Sequence, residues 1–392
     1  MLPPELVDHI LDYLHDDIQS LGACAAAGRP LLHTSRYHRF NGCHLTYIRA
    51  VRLEPLLESS STLARSIKSL VYRPFARSPG DYIVSPPAAV TILKLLPKLI
   101  DLRIQAKALP CIIDLGGRLS YLRLDDVWTQ TRRDMLVGLS LFFKLEELEF
   151  SDPYPMLRLD EHDSHTGGPS APRVRKLSFR NTGCAEMITQ WFSAKGRVPR
   201  LLSVTYTIRG KSHAHLFVAQ SRTLAPLVRD LEIVFKPDGT MQGALESVDL
   251  TLASYAALHS CTLRFALPEM CVAENTSLAW IPTIIGQLSS ASLGSLTISL
   301  VVDNVEDLRS LNSECAVRVL TTVYFDDLRV LDWAAMSQAL SVERLEGLRK
   351  VVFEGCGRRE LLEEHIRITC PELHTRGIVL LAAVAKEASW AD

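Results

Sequence analysis

The sequence predicts an α/β chain: a short N-terminal three-helix unit followed by an irregular solenoid of strand–helix units. Three observations predict it. An apolar stripe of helical period runs through the first residues. From residue 45 onward one pattern, apolar-x-x-apolar-x-apolar, keeps returning. The chain of 392 residues, 47% hydrophobic and 22% charged, carries enough apolar side chains for a continuous core and is too hydrophobic to be disordered over most of its length. The divisions that follow are 1–44 for the helical unit, 45–384 for the solenoid and 385–392 for a frayed tail.

The first helix is read from Leu2-Pro3-Pro4-Glu5-Leu6 through Leu14. Proline is tolerated in a first helical turn, where its missing N–H would have no partner anyway. Leu6, Ile10 and Leu14 recur every four residues with Val7 and Leu11 beside them, and Glu5, Asp8 and Asp12 interrupt the set. A stripe this rich on so short a helix must pack against something. Asp16-Asp17 can cap a second helix whose apolar residues are Ile18 and Leu21. The small residues of Gly22 to Gly28 allow close backbone approach, and Arg29-Pro30 opens a third helix that runs to about Phe40. Three short helices cannot bury a substantial core alone, so a partner or the rest of the chain must complete them.

Leu2-Pro3-Pro4-Glu5-Leu6, then Ile10 and Leu14, then Asp17-Ile18 and Leu21, resembles an F-box. The ending Ser35-Arg36-Tyr37-His38-Arg39-Phe40 is similar to the version seen in many fungal F-box proteins. The resemblance covers about a tenth of the chain. It implies docking onto the Skp-type adaptor of a cullin–RING ubiquitin ligase, with Leu2, Pro3, Leu6, Ile10, Leu14, Ile18 and Leu21 as adaptor-facing or fold-forming residues. Where the family usually reads Val-Cys-Arg-x-Trp, this chain has Ala27-Gly28-Arg29-Pro30-Leu31.

The recurring pattern begins at Ile48-x-x-Val51-x-Leu53 and Ile67-x-x-Leu70-x-Tyr72. It continues at Leu99, Leu119, Leu145, Val174, Leu201, Val228, Leu258 and Leu293, and ends at Leu328-x-x-Leu331-x-Trp333 and Leu348-x-x-Val351-x-Phe353. The mean period is about 27 residues, inside the span of roughly 20–29 of leucine-rich repeats, which the pattern loosely resembles. The Asn or Cys expected three residues after the third apolar position is present only at Cys356; Lys107, Val127, Thr182, Lys236 and Val301 stand at corresponding places. In most units the last two apolar residues flank a polar one, as a strand with one buried face requires. Plausible helices lie between, for example Pro87 to Leu96, Arg132 to Phe143 and Ala185 to Phe192, while Arg73 to Pro87 and Ser151 to Arg173 read as loops. The alternative is a large α/β domain whose strands merely share a local pattern.

In such a solenoid the residues flanking the final apolar position line up across strands on the concave face. Arg103 and Gln105, Arg123 and Asp125, and Glu147 and Glu149 form the first part of this row and are the candidate target-binding residues. The row continues through Lys176, Ser178, Ser203, Thr205, Asp230 and Glu232 as an exposed, polar series of mixed sign.

Nothing in the sequence points to an enzyme, a cofactor or a required metal. No GxGxxG, Walker A, HExxH or GxSxG motif occurs. Asp160-Glu161-His162-Asp163-Ser164-His165 could bind a divalent ion in isolation but reads as a solvated loop, and His213-x-His215 as an exposed helix start. Cys356, beside Arg358-Arg359, reads as a repeat-ladder cysteine. A net charge of −1 fits neither non-specific nucleic-acid binding nor adhesion to an anionic membrane, and the longest apolar run, Ile378 to Ala385, is too short to cross one. Nine cysteines without a CxxC pair or a signal peptide fit a reducing cytoplasmic or nuclear compartment. The expected function is a substrate-recognition subunit of a Skp–cullin–F-box ubiquitin ligase that holds the adaptor by its helices and a protein target by its solenoid. The alternative is a repeat scaffold outside any ligase.

Overall fold

A computed structural model describes residues 3–14, 17–45, 47–72, 91–105, 115, 117–125, 132–151, 171–179, 185–193, 201–208, 210–235, 250, 252–267, 280–302, 331–341, 343–355 and 359–383. They belong to two compact units, Met1–Val174 and Arg175–Asp392.

The first unit opens with helices α1 (Pro4–Asp12), α2 (Ile18–Ala27) and α3 (Arg29–Asn41). Pro4 stands in the first turn of α1, where no intrahelical donor is lost. The Asp17 carboxylate caps α2 by accepting from the backbone N–H groups of Gln19 and Ser20. The small residues of α2 let α3 come close: a side chain at Gly22 would meet the Arg39 guanidinium at 3.4 Å. Leu11 of α1 and Leu21 of α2 are buried. Polar contacts tie α1 to α3, since Thr34 donates to the Asp8 carboxylate and His38 Nε2 lies 2.8 Å from Asp12 Oδ1. Lys68 Nζ in turn donates to the Tyr37 hydroxyl at 3.0 Å, fastening α3 to the segment that leads into the sheet.

Five strands follow: β1 (Gly42–Leu45), β2 (Ser69–Tyr72), β3 (Asp101–Gln105), β4 (Tyr121–Asp125) and β5 (Glu147–Ser151). They are parallel and paired in chain order. Helices α4 (Tyr47–Ser59) and α5 (Ser61–Ser66) fill the first connection, and α6 (Arg132–Ser140) the last. Two of the expected strand units are corrected. Ile48-x-x-Val51-x-Leu53 lies inside α4, where Ala50, Leu53 and Leu57 are buried at helical spacing and Val51 is exposed. The first strand is instead β1, so the expected boundary at residue 44 cuts a strand already paired to β2. Trp333 likewise opens a helix, capped by the Asp332 carboxylate accepting from the Ala335 N–H, rather than ending a strand.

The second unit holds seven parallel strands, again in chain order: β6 (Lys176–Phe179), β7 (Ser203–Ile208), β8 (Asp230–Phe235), β9 (Ser260–Leu267), β10 (Ser295–Val302), β11 (Lys350–Gly355) and β12 (Val379–Ala383). Among the described residues its α-helices are α7 (Ala185–Ser193), α8 (Lys211–Leu224), α9 (Trp280–Ile285), α10 (Trp333–Ala339), α11 (Arg359–Thr369) and α12 (Pro371–Thr375).

Register converts the sequence pattern into a core. Cys43, Leu70, Leu102, Leu122 and Leu148 stand in one row across β1–β5. Leu177, Val204, Leu231, Cys261, Leu296 and Val351 form the matching row across β6–β11, and Phe179, Tyr206, Ile233, Leu263, Ile298 and Phe353 the next. Every member of the two rows in the second unit is buried. Aromatic contacts close gaps between layers: Tyr206 meets Phe217 of α8 edge-on at 4.9 Å, and Phe235 stacks on Phe265 at 5.0 Å. Burial of Cys261 pushes its thiol up to about 12, so this cysteine packs as a small apolar side chain.

A single backbone device sets the register. The residue just ahead of β2 to β4 and of β6 to β10 offers its carbonyl to two successive N–H groups of the next segment. Ser120 receives Glu146 and Glu147, Arg175 receives Leu202 and Ser203, Leu202 receives Arg229 and Asp230, and Arg229 receives His259 and Ser260. His259 and Gly294 repeat the arrangement toward β10 and β11. These N–H and C=O groups are thereby satisfied at the corner where a connection turns into a strand.

Candidate functional site

The first candidate surface lies on α1. Leu11 points inward and Val7 and Leu14 are half-buried, while Leu6 is 49% exposed, Ile10 51% and Tyr13 77%. Pro3, Leu6, Ile10 and Tyr13 follow helical spacing and share one face, and Ile18 at the start of α2 adds a further side chain 63% exposed. Asp8 and Asp12 face α3 instead. The helix therefore ties Asp8 and Asp12 to its own chain and leaves Leu6, Ile10 and Tyr13 in water beside Glu5 and His9.

Of the residues that the F-box resemblance nominates, Pro3, Leu6, Ile10 and Ile18 are exposed, Leu14 is half-buried and Leu21 is fully buried. Leu21 serves the interior of the helical unit. Leu2 lies outside the described residues. Tyr13 is the member that sequence reasoning missed; the spacing 3-6-10-13 was its signal, hidden because the more regular 6-10-14 set drew the stripe through Leu14.

The second candidate surface is the polar face of β3–β5. Register places Arg103 beside Arg123 and Arg123 beside Glu149, and Gln105 beside Asp125. Arg103 Nε lies 2.9 Å from Asp125 Oδ2, Arg123 Nε 3.1 Å from Asp125 Oδ1, and Arg123 Nη1 3.1 Å from Glu149 Oε1. Tyr121 donates to Glu149 Oε2 at 2.6 Å. Burial, then this hydrogen bond to a carboxylate, holds the Tyr121 hydroxyl well above its ordinary pKa. One row away, Asp101 accepts from the Ser69 hydroxyl at 2.9 Å. Its carboxyl is raised chiefly by burial and further by the charges of Glu147 and Glu149, while the Ser69 hydrogen bond works against the shift.

This corrects the expectation of a uniformly exposed row. Arg123 and Glu149 are only 9% and 8% exposed and are held in a continuous ionic lattice. Such a lattice gives a rigid polar face rather than a set of free side chains. In the second unit the same face is more open and richer in hydroxyls. Thr205 donates to Glu232 Oε2 at 3.2 Å, and Arg264 Nε reaches Glu232 Oε1 at 3.0 Å.

The segment Asp160–His165 and Cys356 lie outside the described residues, as do the expected loop at 73–87, residues 152–170 of the loop expected over Ser151 to Arg173, and the tail 385–392; Ser151 is the last residue of β5. His213 and His215 stand near the start of α8, half-buried and exposed respectively. Among the described residues no group of three or more His, Cys, Asp or Glu is disposed to hold a metal, and no helix is long and apolar enough to cross a membrane. Cys24, Cys43, Cys261 and Cys370 are free thiols. Comparison of the chain with known protein families and with curated proteins finds no match.

Proposed function

We propose that this chain is a substrate-recognition subunit of a Skp–cullin–F-box type ubiquitin ligase, acting in the cytoplasm or nucleus. Its N-terminal helices dock a Skp-type adaptor, and its β-strand units, as an irregular leucine-rich-repeat-like solenoid, hold a protein target. The observation that carries the reading is the outward apolar stripe Pro3, Leu6, Ile10 and Tyr13 on a helix whose sequence resembles an F-box. Burying such a stripe against a partner helix removes apolar area from water at roughly 25 cal/mol per Å². Catalysis then belongs to other subunits, and this chain contributes proximity between target and transferred group.

Replacing Ile10 by Asp tests the docking half. Ile10 is exposed in the free chain, so Ile10→Asp leaves the fold intact, whereas in a complex it buries a carboxylate in a desolvated contact. Capture of the purified adaptor should weaken at least tenfold with the melting temperature unchanged. Undiminished capture would remove the adaptor from this face.

A second reading keeps the receptor but not the ligase. Leu31 stands where the family usually carries a tryptophan, and Gly28 where it carries a cysteine. A scaffold that uses the same stripe to hold another helical partner would show full target binding and no adaptor capture.

A further inference from the structure

The leading edge of the second unit carries a row of cations that neither candidate surface accounts for. Arg175, Leu202, Arg229, His259, Gly294 and Arg349 are the residues immediately ahead of β6 to β11, and their carbonyls and N–H groups form the corner ladder described above. They are therefore neighbours in a fixed order. Arg175, Arg229, His259 and Arg349 are exposed, with Lys350 exposed beside the last of them. Among the described residues no carboxylate pairs with Arg175, Arg229, Arg349 or Lys350. Parallel strands lie about 4.8 Å apart, so Arg175 to Arg349 spans roughly 24 Å. That is about the length of seven residues of extended chain.

We propose that this edge binds an extended acidic segment of a protein partner, its carboxylates meeting Arg175, Arg229 and Arg349 and one apolar side chain resting on Leu202. The inference deepens the receptor reading by naming the class of target segment, and it rests on that reading. Charge complementarity supplies the occupant: guanidinium groups pair carboxylates in bidentate fashion, and rigid backbone corners fix their spacing. Leu202, 39% exposed, interrupts the cations with an apolar contact, which a side chain of a peptide can use and a phosphodiester cannot. Asp230 is exposed next to Arg229, and Glu343 and Glu346 are exposed ahead of Arg349. These charges oppose a continuous polyanion and favour a segment whose acids fall at chosen places. A single-stranded nucleic acid would also call for stacking platforms, and no described Phe, Tyr or Trp of this unit is exposed.

The test uses the full chain and three fluorescein-labelled probes: a peptide of about ten Asp and Glu residues with a central Leu, a lysine peptide of equal length, and an oligothymidylate of equal length. Fluorescence anisotropy at low salt should show binding of the acidic peptide and none of the lysine peptide. The triple variant Arg175→Glu, Arg229→Glu, Arg349→Glu should lose at least tenfold in affinity, and Arg175→Gln with Arg229→Gln a smaller factor. All of these side chains are exposed, and an unchanged melting curve verifies that the variants fold. Adaptor capture by the triple variant should equal that of the parent chain. The proposal is overturned if the triple variant binds the acidic peptide as the parent does, if oligothymidylate binds more tightly than the peptide, or if adaptor capture falls together with peptide binding. Failure of the ligase reading has a different signature: no adaptor capture by the parent, with the peptide result intact.

Discussion

Asp101 and Arg123 show how much a single residue's role depends on its neighbours in register. The alternation of the strands marks Arg123 as outward-pointing, and Asp101, two residues before Arg103 on β3, shares that face. Sequence could not reveal that Arg123 would be 9% exposed, because its burial comes from Asp125 on its own strand and Glu149 on the next. Reversing Arg123 would place a third carboxylate among those two and damage the fold itself; Arg103, with 19% of its side chain exposed, is the better probe of binding on this face. Asp101 yields a pH prediction. Its folded-state pKa is raised, so the native chain holds this proton more tightly than the unfolded chain does. The ionised carboxylate therefore costs stability above the folded pKa, and that cost disappears below the ordinary carboxylate range. Asp101→Asn should raise the melting temperature near pH 7, and the two proteins should converge below about pH 3. A lower melting temperature for the variant at neutral pH would show that the charged form is the favoured partner of Ser69.

At the scale of elements, the apolar-x-x-apolar-x-apolar pattern coincides with strands β2 to β11. It works there because its last two positions alternate across a pleat while its first closes the preceding turn. Leu99, Leu145, Leu258 and Leu348 each donate their N–H to a carbonyl three residues earlier, from Leu96, Phe142, Tyr255 and Leu345. Those four earlier residues are also buried, so the repeat has a further apolar position that was present in the sequence and went unread. At β10 that place is taken by Ser290, whose hydroxyl donates to the carbonyls of Ala256 and Leu258. The failures have equally local causes. The spacing i, i+3 belongs to helices as well as to this turn, which is why the pattern at Ile48-x-x-Val51-x-Leu53 falls inside a helix and the one at Leu328-x-x-Leu331-x-Trp333 ends on the first residue of another. Strand β12 was missed because Arg376 stands at the first position, its guanidinium donating to the carbonyls of Leu340 and Leu348. Packing between successive corners makes a prediction at Gly347, where an added methyl would collide with the Ala291 backbone carbonyl. Gly347→Ala should destabilise the chain by about 1–3 kcal/mol in denaturant unfolding, since backbone on both sides cannot move away cheaply. An unchanged unfolding midpoint would mean that the corner before β11 is looser than its geometry implies.

At the scale of the whole chain, parallel strands paired in chain order and a helical unit with exposed apolar side chains have to serve one purpose. The candidate docking stripe was legible in part: Leu6, Ile10 and Ile18 came from helical period and resemblance, whereas Tyr13 and the burial of Leu21 needed the packing of α1 and α2 to be seen. The row of cations on the leading edge was not legible, because Arg175, Arg229, His259 and Arg349 lie 54, 30 and 90 residues apart and only the corner hydrogen bonds bring them together. Adaptor docking by helices α1 to α3 is tested by co-purification of a Skp-type adaptor with the full chain and with residues 42–392, a truncation that keeps β1 in its sheet. Stoichiometric adaptor is expected with the full chain and none with the truncated, folded form; adaptor retained by residues 42–392, or absent from both, would contradict docking by these helices.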